Sequence, residues 1–423
     1  MREVGSTQIS RWVGLSAMLL FLFTIYGVAL FEPVAESLDG RQGYADIFRS
    51  FGSRVARSLE EVGQQGVLAT NRALLEAIHQ FEDRLEEESF LHRWMLPQIQ
   101  WFMANYLGLG NEQAYIGEDG WLFYRPDIDY VTGPGFLDPA VLEARSRAGD
   151  LWKQAPVPDP VPALLDFDQQ LRERGIRLVV MPTPVKPTVH PGEFTRRLAG
   201  LEAPLRNPSF EEFVRRLSEA GVEVFDSGLI LLDGKQTLEV AQYLRSDTHW
   251  TPQAVDLVAQ ELAGRLAETV ELSPGPGNLG ARRSVAVQGH GDIAVMLMLP
   301  ADQKLFPPER VTTSMVMRSD GRLWRPQRSA EVLLLGDSFS NIYSDSTLGW
   351  GSGAGLAEQL SYHLQRPVDK LALNAGGALA TRQVLQRTLA AGEDRLAGKK
   401  VVIYQFATRE LASGNWRILS LAR

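Results

Sequence analysis

The stretch VLLLGDSFSN, Val332 to Asn341, runs four apolar residues straight into a Gly-Asp-Ser turn. Four consecutive apolar side chains bounded by a turn read as a strand buried on both faces, the pattern of a parallel sheet. Other short runs agree: RLVVMP from Arg177, VEVF from Val222, VDKLAL from Val368 and KVVIYQF from Lys400. Between them lie amphipathic segments, Val161 to Arg174, Phe210 to Ala220, Pro252 to Glu268 and Thr381 to Arg395, with apolar residues at helical spacing. Strands alternating with helices predict an α/β fold, a mostly parallel sheet with helices on both faces. Leu272 to Gln327 fits neither period well and contains SPGPGNLG, so it is expected to be a loop-rich insertion.

In such a sheet, functional residues stand just beyond the carboxyl ends of strands. Ser338 does so: its hydroxyl would be exposed on a strand-to-helix turn, where the following N–H groups can face a developing oxyanion. The alternative is structural, with Asp337 or Ser338 simply capping the next helix. A serine hydroxyl is a poor nucleophile near neutral pH and needs a base. RSDTHWTP, Arg245 to Pro252, supplies one. Asp247 and His249 are two residues apart, so the carboxylate can reach back to Nδ1 while Nε2 points outward at the serine. In the competing reading, Thr248 or Thr251 caps a helix opening at Pro252 and His249 is a bystander. The two readings are compatible, because a cap would fix where the histidine points.

Composition narrows the classes. The chain has 423 residues, 44% hydrophobic and 22% charged, with a net charge of −8 and 43 thinly spread basic residues. That gives no basic stripe for a nucleic acid. There are no cysteines, which excludes disulfides, thiolate nucleophiles and zinc ribbons. None of the six histidines forms an HExxH or HxH pair, so no metal site is expected.

The N-terminus adds a membrane element. Trp12 to Phe31 is uncharged for 20 residues, enough to cross a hydrocarbon core of about 30 Å. Arg2 and Arg11 precede it and Glu32, Glu36 and Asp39 follow, which predicts a short cytoplasmic tail (1–11), an anchor (12–31) and the bulk of the chain outside. A cleaved signal peptide is the alternative, with Gly27-Val28-Ala29 as its small-residue site. From 32 to 110 the pattern is helical, with a stripe of Leu75, Ile78, Phe81 and Leu85, read either as a juxtamembrane stalk or as ordinary packing. The catalytic domain is expected over 111–423, with the insertion near 272–327.

GDS after a strand together with a D-x-H pair resembles the SGNH hydrolases, a flavodoxin-like fold, except that here Asp247 and His249 precede Ser338. That permuted order, with GEDGWLFYRPDIDYVTG at Gly117, PTPVKPTVHP at Pro182, SDTHWTP, GDIAVMLMLP at Gly291 and VIYQFATREL at Val402, resembles the alginate O-acetyltransferase family of AlgJ and AlgX proteins, from about Ala114 to the C-terminus. The anchor is similar to that of AlgJ, and no C-terminal carbohydrate-binding module of the AlgX kind is seen.

The resemblance implies a periplasmic O-acetyltransferase, held at the inner membrane by a single pass, that acetylates exopolysaccharide hydroxyls. Ser338 would be the nucleophile, His249 the base and Asp247 the orienting acid. It implies a membrane-bound O-acyltransferase of the AlgI type as partner, carrying acetyl groups across the bilayer from cytoplasmic acetyl-CoA, and no cofactor bound to this chain. A polysaccharide acetylesterase and a non-catalytic polymer- or acyltransferase-binding scaffold remain the alternatives.

The G-x-N-D block of SGNH enzymes has no clear counterpart. LALNAGG, with Asn374, and GWGSGAG, with Gly351, are the candidates for the oxyanion hole, though such glycines also serve turns. Tyr343, Tyr404 and Arg409 are candidate substrate contacts, and Lys186 a candidate partner for a carboxylated sugar.

Overall fold

The computed structural model describes residues 10–38, 43–60, 66–149, 154–275 and 279–421. Among the described residues nine strands occur in chain order: β1 (Ala114–Ile116), β2 (Leu122–Tyr124), β3 (Arg177–Thr183), β4 (Glu223–Val224), β5 (Leu279–Gly289), β6 (Glu309–Arg318), β7 (Val332–Gly336), β8 (Asp369–Ala372) and β9 (Val401–Ala407). The five runs read as strands all enter one sheet of order β4-β3-β9-β7-β8, and every pairing in it is parallel. The sheet is that of an α/β fold, but its order departs from the flavodoxin one: the last strand, β9, lies at the centre, between β3 and β7.

Alternate side chains of these strands feed two cores. Val179, Met181, Leu334, Val401 and Ile403 face a cluster built with helices Pro252–Thr269 and Leu356–Leu364. Leu178, Val180, Leu333, Leu335, Val402 and Tyr404 face another, built with helices Pro160–Arg172, Phe210–Glu219 and Gly377–Ala390. All five residues of β7 are buried, as a strand covered on both faces requires, and each leucine so enclosed contributes roughly 1.5–3 kcal/mol.

The stretch expected as a loop-rich insertion carries, among its loops, an antiparallel ribbon, β5 paired with β6 from Gly289↔Glu309 outward. The ribbon stands apart from the parallel sheet, so its strands lack the continuous apolar runs that marked the other five. Gln288 and Arg310 pair across it, and residues such as Arg282, Arg283 and Thr312 interrupt its apolar pattern.

The chain divides into two compact units, residues 1–102 with 298–301, and residues 103–297 with 302–423. The first is helical. Its helices include Arg11–Leu38, Gly43–Glu60 and Val67–Glu88, with Phe51 stacked on Phe81 of the expected stripe at 4.4 Å. Within it the Glu32 carboxylate accepts from the N–H groups of Phe90 and Leu91 at 2.8 and 3.0 Å, capping the helix Phe90–Leu107. The expected tail falls largely on residues 1–9, outside the described residues. Arg11–Leu38 is one helix, but among the described residues no helix is long and apolar enough to cross a membrane. The side chains at 24, 25 and 28–30 of the expected anchor lie outside the described residues.

Candidate active site

Ser338 opens the short helix Ser338–Asn341 directly after β7. Asp337 is the N-cap: its Oδ1 accepts from Phe339 N–H at 2.9 Å, and its Oδ2 from Ala407 N–H of β9 at 2.8 Å. The turn is held from the neighbouring strand by Gln405, whose Oε1 accepts from Asp337 N–H at 3.0 Å and from the Ser340 hydroxyl at 2.6 Å. Of the two caps expected as an alternative to catalysis it is Asp337 that caps, and this leaves the Ser338 hydroxyl to point away from the helix. As the first helical residue, Ser338 also presents an N–H that the helix cannot satisfy, which is the kind of donor an oxyanion needs.

The segment SDTHW arrives from the other side. Thr251 caps the helix Pro252–Thr269, with Ala254 N–H donating to its hydroxyl at 3.3 Å. Trp250 is fully buried, and its indole N–H donates to Phe339 O at 3.0 Å, so the indole ties the histidine segment to the serine helix. The acid, histidine, indole and proline of this segment thus do separate jobs in one turn. His249 lies between the two anchors, with its ring 4.8 Å from that of Phe339.

A continuous line of hydrogen bonds results. The Ser338 hydroxyl donates to His249 Nε2 at 2.8 Å, and His249 Nδ1–H donates to Asp247 Oδ1 at 2.6 Å. The tautomer follows from Asp247, whose oxygens only accept. Oδ1 also takes His249 N–H at 3.0 Å, and Oδ2 takes Asp292 N–H at 3.0 Å and the Trp350 indole N–H at 2.9 Å. Asp247 and His249 are buried, while Ser338 is partly open, so the line begins at solvent and ends in the interior.

Charge follows the same line. Burial would raise the Asp247 pKa, but the charge and hydrogen bond of His249 and the backbone N–H donors hold it down to about 2. Burial would lower that of His249, but Asp247, and beyond it Asp292, raise it above the usual histidine value. Asp247, His249 and Asp292 each place one ligand atom within 4.8 Å of the others. The lone pairs of Asp247 are already taken by four protein donors and Nδ1 carries a proton held toward Asp247, so the cluster is built to orient the imidazole and to stabilise its charged form.

Several residues expected at the site are placed elsewhere. Lys186 is fully buried, and its ammonium donates to Leu122 O at 2.7 Å and Arg245 O at 3.1 Å. It pins the base of the histidine segment and cannot meet a sugar carboxylate. Burial pushes its pKa down to about 8 against the pull of Asp247, Asp292, Glu309 and Asp127. Tyr343 is buried with its hydroxyl on Trp250 O at 2.8 Å, and Tyr404 is buried with its hydroxyl donating to Ala378 O. Both are packing residues rather than substrate contacts.

Asn374 is committed to Asn341 and Asp345, at 3.0 and 2.9 Å. Gly351 occupies a left-handed turn (φ 85°) where a Cβ would press on Val287, and it follows the Trp350 that reaches Asp247. The loop it belongs to thus serves the acid through an indole. Arg409 is the exception: 17% of its side chain is exposed, it pairs with Asp127 at 2.8 Å, and its guanidinium lies 5.8 Å from the Phe339 ring.

Comparisons with known proteins identify the family and the fold. Residues 114–408 match the family model of the SGNH hydrolase-like domain, acetyltransferase AlgX. The chain belongs to this family. Among curated relatives, a probable alginate O-acetylase AlgJ of Pseudomonas aeruginosa is 26% identical over 62% of this chain and 61% of its own length. Another, from Azotobacter vinelandii, is 30% identical over 33% of this chain and 35% of its own. The chain thus spans about three fifths of the length of the first of these relatives. The solved O-acetyltransferase domain of Pseudomonas putida AlgJ, at 21% identity, superposes with a TM-score of 0.52 over 71% of this chain and 93% of that one, which supports the shared fold.

Trp350, Asp292, Glu309 and Gln405 had not been singled out from the sequence. Glu309 accepts from the N–H groups of Arg245 and Ser246, at 2.9 and 2.7 Å, and so fixes the approach to Asp247. Within GDIAVMLMLP it is Asp292 that reaches Asp247, and within VIYQFATREL it is Gln405 that holds the serine turn.

Proposed function

We propose that this chain is an O-acetyltransferase that esterifies hydroxyls of an alginate-like exopolysaccharide through an acetyl-serine intermediate. The observation that carries this reading is the unbroken line Ser338–His249–Asp247, opening to solvent at the serine. In the first half-reaction the Ser338 oxygen bonds to the acetyl carbonyl carbon of a donor while its proton passes to His249 Nε2. The Ser338 N–H faces the developing oxyanion, Asp247 stabilises the imidazolium, and the proton then goes to the leaving group. In the second, His249 takes the proton of a sugar hydroxyl, whose oxygen attacks the acetyl-serine carbonyl carbon, and His249 then returns the proton to the Ser338 oxygen as its bond to the acetyl group breaks.

The acetyl group is proposed to come from cytoplasmic acetyl-CoA by way of a membrane-bound O-acyltransferase of the AlgI type, with no cofactor bound here. The catalytic domain is proposed to lie in the periplasm, with residues 12–31 of the helix Arg11–Leu38 as a single-pass inner-membrane anchor. That helix presents Trp12, Val13, Leu19, Leu20, Phe21 and Phe23 to its surroundings, an apolar surface that lipid would cover. The relatives' names motivate the polymer, and Arg409, half-buried beside Phe339, is suited to a carboxylated sugar.

The test uses the full chain, a chromogenic acetyl ester and polymannuronate. Ester-linked acetyl on the polymer, dependent on Ser338, is expected. Acetate release with no polymer gain would replace the reading by an acetylesterase, and polymer acetylation unchanged in Ser338→Ala would leave a scaffold.

A further inference from the structure

His249 has a second acid behind it. Asp292 opens the short helix Asp292–Met296, and its carboxylate grips the middle residue of the D-x-H segment twice: Oδ1 accepts from Thr248 N–H at 2.7 Å and Oδ2 from the Thr248 hydroxyl at 2.6 Å. That hydroxyl oxygen lies 3.1 Å from His249 Nδ1, and Asp292 Oδ2 itself lies 3.8 Å from the same nitrogen. The backbone N–H of Asp292 meanwhile donates to Asp247 Oδ2. One residue therefore touches the acid through its main chain and the residue beside the base through its side chain.

The fold is built to bring this residue close. A Cβ on Gly291 would sit 2.1 Å from Ser246 O, so only glycine lets the two segments approach, and Ala294 N–H closes the contact on Ser246 O at 3.1 Å.

We propose that Asp292 is a positioning residue for His249: through Thr248 it fixes the orientation of the imidazole, and its carboxylate is a second negative charge that stabilises the imidazolium formed when Ser338 gives up its proton. This rests on the reading of Ser338 as the nucleophile. The proton balance is unchanged by it: the Ser338 proton goes to Nε2, the Nδ1 proton stays on the ring facing Asp247 and Thr248, and Asp292 receives none.

The charges around the pair are Asp247 on the same segment, Arg409 from the end of β9 with its partner Asp127, Lys186 from after β3, and Glu309 at the start of β6. Arg409 opposes the imidazolium, while the carboxylates favour it. Burial and the nearby charge of Asp247 push the Asp292 carboxyl up to about 6, against His249 and the Thr248 hydrogen bonds. About a third of the side chain, 32%, still meets solvent, so it can exchange protons with bulk. A protonated Asp292 cannot accept from both Thr248 donors in the same way. The reactive form thus needs Asp292 ionised and His249 neutral.

The experiment follows the rate at which a sulfonyl fluoride modifies Ser338 in the full chain from pH 5 to 9, read by mass spectrometry. It needs neither donor nor polymer. In Asp292→Asn the limiting rate should fall about tenfold and the inflection should move to lower pH, because a charge favouring the imidazolium is gone. Asp292→Glu should keep the inflection near that of the wild type. Should Asp292→Asn fail to fold, Thr248→Val serves instead, with a reduced limiting rate and the inflection retained because both carboxylates remain.

An Asp292→Asn profile that superposes on the wild type, or one reduced in rate with its inflection unmoved, would overturn the proposal, as would a Thr248→Val profile at the full wild-type rate. Absence of any modification at Ser338 in the wild type would instead overturn the nucleophile reading beneath it.

Discussion

Among the described residues two aspartate–histidine contacts share one length and have opposite meanings. Asp247 meets His249 Nδ1 at 2.6 Å, and Asp256 meets His363 Nε2 at 2.6 Å. The first has Ser338 on the ring's other nitrogen and a carboxylate 2% exposed, with all four of its hydrogen-bond donors from fixed groups. The second joins helices Pro252–Thr269 and Leu356–Leu364, leaves Asp256 31% exposed, and shares its carboxylate with Arg282. Another histidine, His190, is buried and accepts from Gln242 N–H, and burial drives its pKa down to about 4. What makes a catalytic base is the partner of the second nitrogen and a carboxylate whose orientation cannot relax, rather than the acid–histidine distance.

The strongest way to break the comparison is to remove each histidine. His249→Ala and Ser338→Ala should each lower acetyl transfer by about 10³-fold or more, and the double variant should be no worse than the singles, since the groups act as a unit. His363→Ala should keep activity within about twofold and lose only about 1 kcal/mol of stability, read as a lowered melting temperature. Equal activity losses from the two histidines would erase the distinction.

A smaller effect sharpens it. Trp350→Phe keeps the ring but withdraws one donor from Asp247 Oδ2, so kcat should fall about tenfold while KM holds. Asp256→Asn, at the other contact, should leave the pH–activity curve in place. Because Asp256 is held below its usual value, against the effect of burial, by His363 and Arg282, its stabilising contribution is present above the unfolded value and is lost as the pH falls through the folded one. The variant's stability deficit should therefore shrink in acid.

The parts of the site legible in the sequence are those whose signal is local. Apolar residues ending in GDS gave β7 and the serine turn, and D-x-H followed by Thr-Pro gave the pair and the cap that aims it. Lys186, Tyr343 and Tyr404 were misjudged because burial depends on what packs over a residue from elsewhere: Lys186 is closed in by the backbone of Leu122 and Arg245, Tyr404 by the helix Gly377–Ala390. Trp350 and Asp292 act on Asp247 from 103 and 45 residues away, separations that no local pattern reports. The β5–β6 ribbon escaped notice because a two-stranded element outside the main sheet need not be apolar on both faces.

The central claim is that Ser338 carries the acetyl group. Full-length protein mixed with an acetyl ester, quenched in acid and digested, should yield an acetylated peptide containing Ser338. That adduct should vanish when a polysaccharide acceptor is added before the quench, with ester-linked acetyl appearing on the polymer. Acetyl on any other residue, or polymer acetylation that proceeds in Ser338→Ala, would contradict the account.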